Sequence, residues 1–211
     1  MPERLTPDAL AARYPRLYHM AEEGSWPSIR ERGLLSTTAL LDLFELQGEP
    51  RAAIESRRRN RSVAIRHPTH GTAWIRDNLP VNETVLRRTL VGMTEEQYYR
   101  TLNGRVFFWV STRRLDKLRN APPYKERLHD ILELDTTALL QRYADVVELS
   151  HLNSGAVHPA ANYPRGTGTF HPIRSYPWGE RRAVSAEPLV EVTVPYSVPD
   201  IADFVVSVTI R

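Results

Sequence analysis

Strand-like runs in this chain do not alternate regularly with helices, and that property excludes a doubly wound parallel sheet. A short N-terminal helix precedes a strand over Tyr14–Met20. Ser25 then reads as the cap of a helix that opens at Trp26-Pro27 and stops at Gly33. Ser36–Thr38 introduce a helix over Ala39–Phe44, closed by Gly48, and Glu49–Arg61 reads as helical into the tract Arg57-Arg58-Arg59-Asn60-Arg61. Val63–Arg66 is a short strand, Asn82 and Thr94 are caps, and Thr94 with Gln97 fits a capping box. Gly104 precedes the clearest strand, Arg105–Val110, and Ser111 or Thr112 caps a helix over Arg113–Asn120. His129–Leu134 and Asp145–Leu149 are strands separated by a helix that starts near Asp135. Periodicity lapses from Ser150 to Pro188, a loop long enough to be functional, and returns at Leu189–Val194 and Phe204–Ile210. The expected architecture is one α+β domain spanning residues 1–211, with helices first and strands concentrated late.

Composition narrows the function classes. Of 211 residues, 41% are hydrophobic, 25% charged and 9% aromatic, which excludes disordered, collagen-like and coiled-coil chains. No apolar run reaches the length of a membrane span, and Met1-Pro2-Glu3-Arg4 lacks the apolar core of a secretory signal, so a cytoplasmic protein without a membrane partner is expected. With no cysteine there is neither a disulfide nor a thiolate metal site. The net charge is only +3, yet Lys117 and Lys125 are the only lysines among 28 Lys and Arg, leaving 28 − 2 = 26 arginines. Arginine richness follows from a G- and C-rich genome or from phosphate binding, where the planar guanidinium is the better tool.

Three places carry candidate chemistry. Tyr18-His19 ends the first strand; locally, such a histidine is a half-buried residue bonded to a nearby carbonyl. Gly104-Arg105-Val-Phe-Phe-Trp109 sends an arginine into an apolar strand, where it reads equally as an edge charge beside core aromatics. On the strand from Leu189, Glu191 lies on the face opposite Val190, Val192 and Val194, and either lines a cleft or meets solvent on an open sheet face.

Taken together and in order, these segments resemble the ADP-ribosyltransferase superfamily. Tyr18-His19-Met20, Ser25–Arg32 and Gly33-Leu-Leu-Ser36 are similar to the opening of DarT-type enzymes, and Glu191-Val-Thr-Val-Pro195-Tyr-Ser-Val-Pro199 is similar to their closing segment. The chain also looks like a related bacterial domain family of uncharacterised function. The resemblance implies split mixed or antiparallel sheets, with N-terminal helices packed around an NAD cleft. It implies a transferase that cleaves the nicotinamide–ribose bond of NAD, its co-substrate, and passes ADP-ribose to a macromolecular acceptor, DNA or RNA among them. An antitoxin or hydrolase partner is implied as well, and no metal.

Carried over by residue, Glu191 is the catalytic glutamate and His19 holds the adenosine ribose, with Tyr18 beside it. Gly33 and Ser36 form the turn at the cofactor, and Phe107, Trp109 and Ser111 lie near the nicotinamide. The family's catalytic arginine maps best to Arg105, with Arg51 and Arg114 behind it. Asn153, Arg165 and Trp178, in the segment leading through Arg182, correspond to the substrate-selecting loop. The asparagine-rich middle motif of DarT-type enzymes is not found, which weakens DNA as the acceptor.

Other readings remain open from sequence. An NAD glycohydrolase differs only in using water as acceptor, and an RNA 2′-phosphotransferase of related fold relies on arginines and a histidine instead of a glutamate. Arg57–Arg61 suits a non-catalytic nucleic-acid-binding module, or else a solvated helix end where cations favour the dipole. His67 and His70 flank Pro68, which bars a regular helix presenting both, and His151, His158 and His171 lack a clustered carboxylate. No Gly-x-Ser-x-Gly elbow is present.

Overall fold

The computed structural model describes residues 4–211, which form two compact units, each assembled from separate stretches of chain. The first takes in the chain through Leu34, Val106–Leu152 and Phe170–Arg211; the second comprises Leu35–Arg105 and Asn153–Thr169. In chain order, α1 (Pro7–Arg13), β1 (Arg16–Glu22) and α2 (Trp26–Arg32) belong to the first unit, and β2 (Leu34–Leu35) stands where the chain passes into the second. There follow α3 (Thr37–Leu43), α4 (Gly48–Glu55), β3 (Val63–His67), β4 (Gly71–Ile75), α5 (Glu83–Thr89), β5 (Leu90–Val91) and α6 (Glu95–Asn103). The first unit resumes at Val106, within β6 (Arg105–Trp109), and continues with α7 (Thr112–Arg119), β7 (His129–Asp135), α8 (Thr136–Tyr143) and β8 (Glu148–Ser150). A second excursion contributes β9 (Arg165–Gly166), and β10 (His171–Pro172), α9 (Trp178–Val184), β11 (Glu191–Pro195), β12 (Ser197–Val198) and β13 (Val205–Ile210) complete the first unit.

The first unit is built on a seven-stranded sheet in the order β10-β8-β11-β6-β1-β7-β13. β1 is antiparallel to both β6 and β7, β13 to β7, and β8 to both β10 and β11. This is an α+β arrangement of helices and antiparallel strands, as the irregular spacing of strand-like runs predicts. One face of the sheet packs a core of Leu17, Val106, Phe108, Leu132, Leu134, Leu149, Val192 and Val194 against Leu10 of α1 and Leu139 of α8. The alternation of these positions is the period of two that a half-buried strand requires. Helices start where side chains satisfy their first amides: Thr6 Oγ1 accepts from Ala9 N at 3.2 Å, and Asp135 Oδ1 from Ala138 N at 2.9 Å.

Three expectations need correction. Ser25 does not cap α2 with its side chain. Asp130, 3% exposed on β7, does so instead, accepting from Trp26 N at 2.7 Å and Gly24 N at 3.2 Å. Next, the helix expected over Glu49–Arg61 stops at Glu55. Ser56 Oγ donates back to Ala52 O at 2.6 Å, and Arg59 turns inward to donate to Ile54 O, which satisfies a helix-end carbonyl with a cation. The basic tract is thus neither helical nor uniformly solvated. Third, the segment 150–188 is not structureless. It holds β9, β10, a 3-10 turn at Ile173–Ser175 and α9, and its halves serve different units.

In the second unit the β3–β4 hairpin turns Val63, Ile65, Ala73 and Ile75 onto Leu41, Phe44 and Ile54. Glu55, 5% exposed in its side chain, ties α3, α4 and α6 together. It accepts from Thr38 Oγ1 at 2.6 Å, Arg51 Nε at 3.1 Å and Arg100 Nη1 at 2.8 Å.

Candidate active site

Three sheet neighbours in the first unit carry the residues singled out from sequence: β11 bears Glu191, β6 bears Phe107 and Trp109, and β1 bears Tyr18 and His19. At the usual spacing of adjacent strands, β11 and β1 lie about 10 Å apart with β6 between them. β1 pairs with β7 over all seven residues, Arg16↔Asp135 through Glu22↔His129, whereas its register with β6 is the pair Tyr18↔Trp109. Beside that pair, His19 Nδ1 meets the Phe107 carbonyl oxygen at 2.9 Å. A carbonyl only accepts, so Nδ1 is the donor, and in the neutral ring Nε2 is the acceptor nitrogen. The ring is also edge-on to Phe108, with centroids 6.0 Å apart. His19 is therefore half-buried and bonded to a carbonyl, which is the plain local reading, and that bond also fixes its tautomer.

Glu191 is 3% exposed and stands opposite Ser150 of β8. Its strand neighbours Val192 and Val194 enter the core, so alternation places the carboxylate with Thr193 on the other face of β11. A carboxylate buried so deeply in a sheet is rare unless its surroundings hold it.

Tyr18 and Trp109 pack across from each other with Met20, Leu115 and Ile131. By alternation this is the face opposite that of Leu17 and His19. The structure thus separates Tyr18 from His19, its neighbour in sequence. Burial pushes the Tyr18 hydroxyl pKa up, aided by the Glu133 carboxylate and opposed by Arg16. Trp109 Nε1 is a buried donor without a hydrogen-bond partner, and Phe107 lies edge-on to Phe170 at 6.1 Å. Ser111 accepts from Arg114 N at 3.4 Å as the cap of α7.

Gly33 has φ +87°, and a Cβ there would lie 2.4 Å from Pro199 Cα. Its need for glycine comes from that backbone contact, which joins the Gly33 turn to the segment after β11. Trp178, expected in a substrate loop, is instead 4% exposed in the core, with the Arg13 guanidinium 5.4 Å from its ring centroid.

Four further candidates belong to the second unit. Ser36 is buried and caps α3, accepting from Ala39 N at 3.1 Å. Arg105 donates to Thr101 O at 2.7 Å. Asn153 O accepts from Ala156 N at 3.3 Å. Arg165 is 5% exposed and donates to Tyr163 O and Ala156 O, so its guanidinium holds its own segment instead of facing an acceptor. The alternative arginines are engaged by carboxylates: Arg51 by Asp42 and Glu55, Arg114 by Glu187.

Sequence reasoning missed two supports of the site. Asp130 anchors the start of α2 just after β1, but its partners lie more than a hundred residues away, so no local pattern marks it. Glu187, four residues before Glu191, is clamped by Arg113 and Arg114 at the start of α7. Burial pushes the Glu187 carboxyl pKa up, but the two arginines outweigh it and hold it below the usual carboxylate range.

Among the described residues no group of three His, Cys, Asp or Glu side chains is placed to hold a metal, and no helix is long and apolar enough to cross a membrane. The sheet and site define an α+β protein with a buried strand carboxylate and a tautomer-fixed histidine on strands flanking a third. By sequence the chain belongs to DUF7002, a family of unknown function, whose model matches residues 15–205. No curated protein and no solved structure matches it.

Proposed function

We propose that this protein is an ADP-ribosyltransferase that cleaves the nicotinamide–ribose bond of NAD and transfers ADP-ribose to a macromolecular acceptor. The observation that carries the reading is the strand order β11-β6-β1. It puts Glu191 two strands from Tyr18 and on the same face as Tyr18 and Trp109, the pair that joins β1 to β6, while His19 leaves β1 on the opposite face. That arrangement is consistent with the split sheet that the sequence resemblance implies.

Each residue has a part in this reading. His19, which the resemblance assigns to the adenosine ribose, leaves β1 on the face opposite Glu191, and its part here is to tie β1 to β6 through Nδ1 and Phe107 O. Glu191 accepts a hydrogen bond from a hydroxyl of the other ribose. Breaking the C1′–N bond sends its electron pair out with nicotinamide and leaves positive charge on that ribose, as in glycoside cleavage. A preorganised carboxylate beside that charge stabilises it without reorganisation. The acceptor nucleophile then bonds to C1′ and loses its proton.

The test is nicotinamide release from NAD by purified protein, wild type beside Glu191→Gln, with and without DNA or RNA. Wild-type release that falls about 10²- to 10³-fold in the variant is expected, the scale of losing one oxyanion-hole donor. Equal release from both proteins, or none under any condition together with no NAD binding by calorimetry, rejects the reading.

A further inference from the structure

We propose that the outward face of the β3–β4 hairpin binds single-stranded nucleic acid, with Trp74 as a base-stacking platform and Arg66 as a phosphate contact. The register Ala64↔Trp74 and Arg66↔Thr72 puts these four residues on one face, and all four are exposed. The opposite face is committed to the core of its unit through Ile65 and Ile75. The turn is braced by His67 and His70, whose rings stack 4.6 Å apart beside Phe44. The hairpin is therefore held by one side only, and its free side presents a fixed surface.

Trp74 is 56% exposed, and its cross-strand neighbour is the small Ala64, which leaves the indole uncovered. Arg66 is its diagonal neighbour, within reach of a long side chain. Between Glu55 and Asp77 the chain carries six arginines and no carboxylate. The structure sorts five of them. Arg57 pairs with Glu49 at 2.7 Å, Arg58 donates to Leu79 O at 2.9 Å, and Arg59 is buried on backbone carbonyls. Arg61 and Arg66 are exposed and make no ion pair among the described residues. Glu45, 3.8 Å from His67 Nε2, is the carboxylate adjoining the turn.

An anionic partner follows from that charge, and a planar apolar one from the open indole. A single strand supplies both at once: phosphates for guanidinium groups and bases for the aromatic face. A membrane surface fits less well, because one indole on a two-stranded ribbon offers little apolar area to bury. An acidic peptide would use the arginines but leave Trp74 unexplained. The proposal stands whether or not the protein consumes NAD.

The experiment is fluorescence anisotropy of labelled oligothymidylate and oligouridylate with the full chain, titrated at several salt concentrations. Binding is expected to weaken roughly tenfold or more in Trp74→Ala, within the range for one stacked base, and to be largely kept in Trp74→Phe. Arg66→Ala should reduce the slope of log affinity against log salt by about 0.7, one single-strand phosphate contact. Arg30→Ala, which removes an exposed charge from the other unit, should leave the Trp74 effect unchanged. Tighter binding of either oligonucleotide supports the proposal and identifies the sugar it prefers. No binding, binding indifferent to Trp74 and Arg66, or stronger binding to phosphatidylserine vesicles or polyglutamate overturns it. NAD turnover is not read, so this result is independent of the Glu191 test.

Discussion

At Gly33 the backbone is left-handed, and an added methyl would meet Pro199 at 2.4 Å. Gly33→Ala is expected to destabilise the protein by about 2–4 kcal/mol, since the contact is with backbone and cannot be relieved by a rotamer change. A lowered urea midpoint at unchanged slope would report it. Arg59 is comparable: its Nε donates to Arg76 O at 3.0 Å and its Nη1 to Asn103 Oδ1 at 3.1 Å, besides the bond to Ile54 O. Arg59→Met should cost about 2–4 kcal/mol, because three acceptors, two of them buried, lose a charged donor, whereas Arg61→Met should cost under about 0.5. Thermal melts of the two variants side by side test the contrast. These neighbours are indistinguishable in sequence, since both are arginines of one basic tract. What separates them is the stop of α4 at Glu55, which a run of good helix formers conceals. His19, by contrast, is legible as a half-buried, carbonyl-bonded histidine, although it stands at the middle of β1 and not at its end.

Among elements, α3, α4 and α6 meet at the Glu55 carboxylate. Burial pushes its pKa up, but hydrogen bonds from Arg51 and Thr38 and the charges of Arg51 and Arg100 prevail, so it lies below the ordinary value. A depressed folded pKa means that the stabilisation is present above the unfolded carboxyl pKa and is lost as pH falls through the folded one. Melting temperature should accordingly drop on acidification below about pH 4, the ordinary glutamate pKa. Glu55→Gln should start lower at pH 7, by about 2–4 kcal/mol, and show a flatter acid limb. A variant as steep in acid as wild type would show that other carboxylates govern the transition. At this scale most elements are readable from caps and composition, such as the Thr94–Gln97 box before α6 and the β-branched and aromatic run of β6. One failure at this scale has a long-range cause. Asp130 replaces Ser25 as the α2 cap, and a cap supplied by a distant strand has no signature in the local chain.

For the whole molecule, the informative feature is that Asn153–Thr169 leaves the first unit to complete the second. β9 pairs in parallel with β5, Leu90↔Arg165; Val81 bridges Val157; and Tyr98 Oη donates to Ser154 O at 3.0 Å. A fragment spanning 35–105 alone should therefore show no cooperative melt, whereas the same fragment joined by a flexible linker to 153–169 should. Circular dichroism of both fragments is the check, and a cooperative melt of the shorter one contradicts the assignment. Sequence showed this region only as a lapse of periodicity. Two-residue strands such as β9 and β10 are too short to establish a period, and segments pinned by arginine–carbonyl bonds have none.

The uneven partnership of β1, matched along its length by β7 but joined to β6 at Tyr18, would be visible to a deuteron. In an antiparallel sheet successive amides of one strand aim at alternate neighbours. Those of β1 aimed toward β7 are closed from end to end, and those aimed the other way lose their ladder beyond Tyr18. Exchange along this single strand should therefore alternate between slow and fast after residue 18. The middle of the sheet would behave as a border, and a molecule seated against that border should slow the fast amides and leave the slow ones as they were.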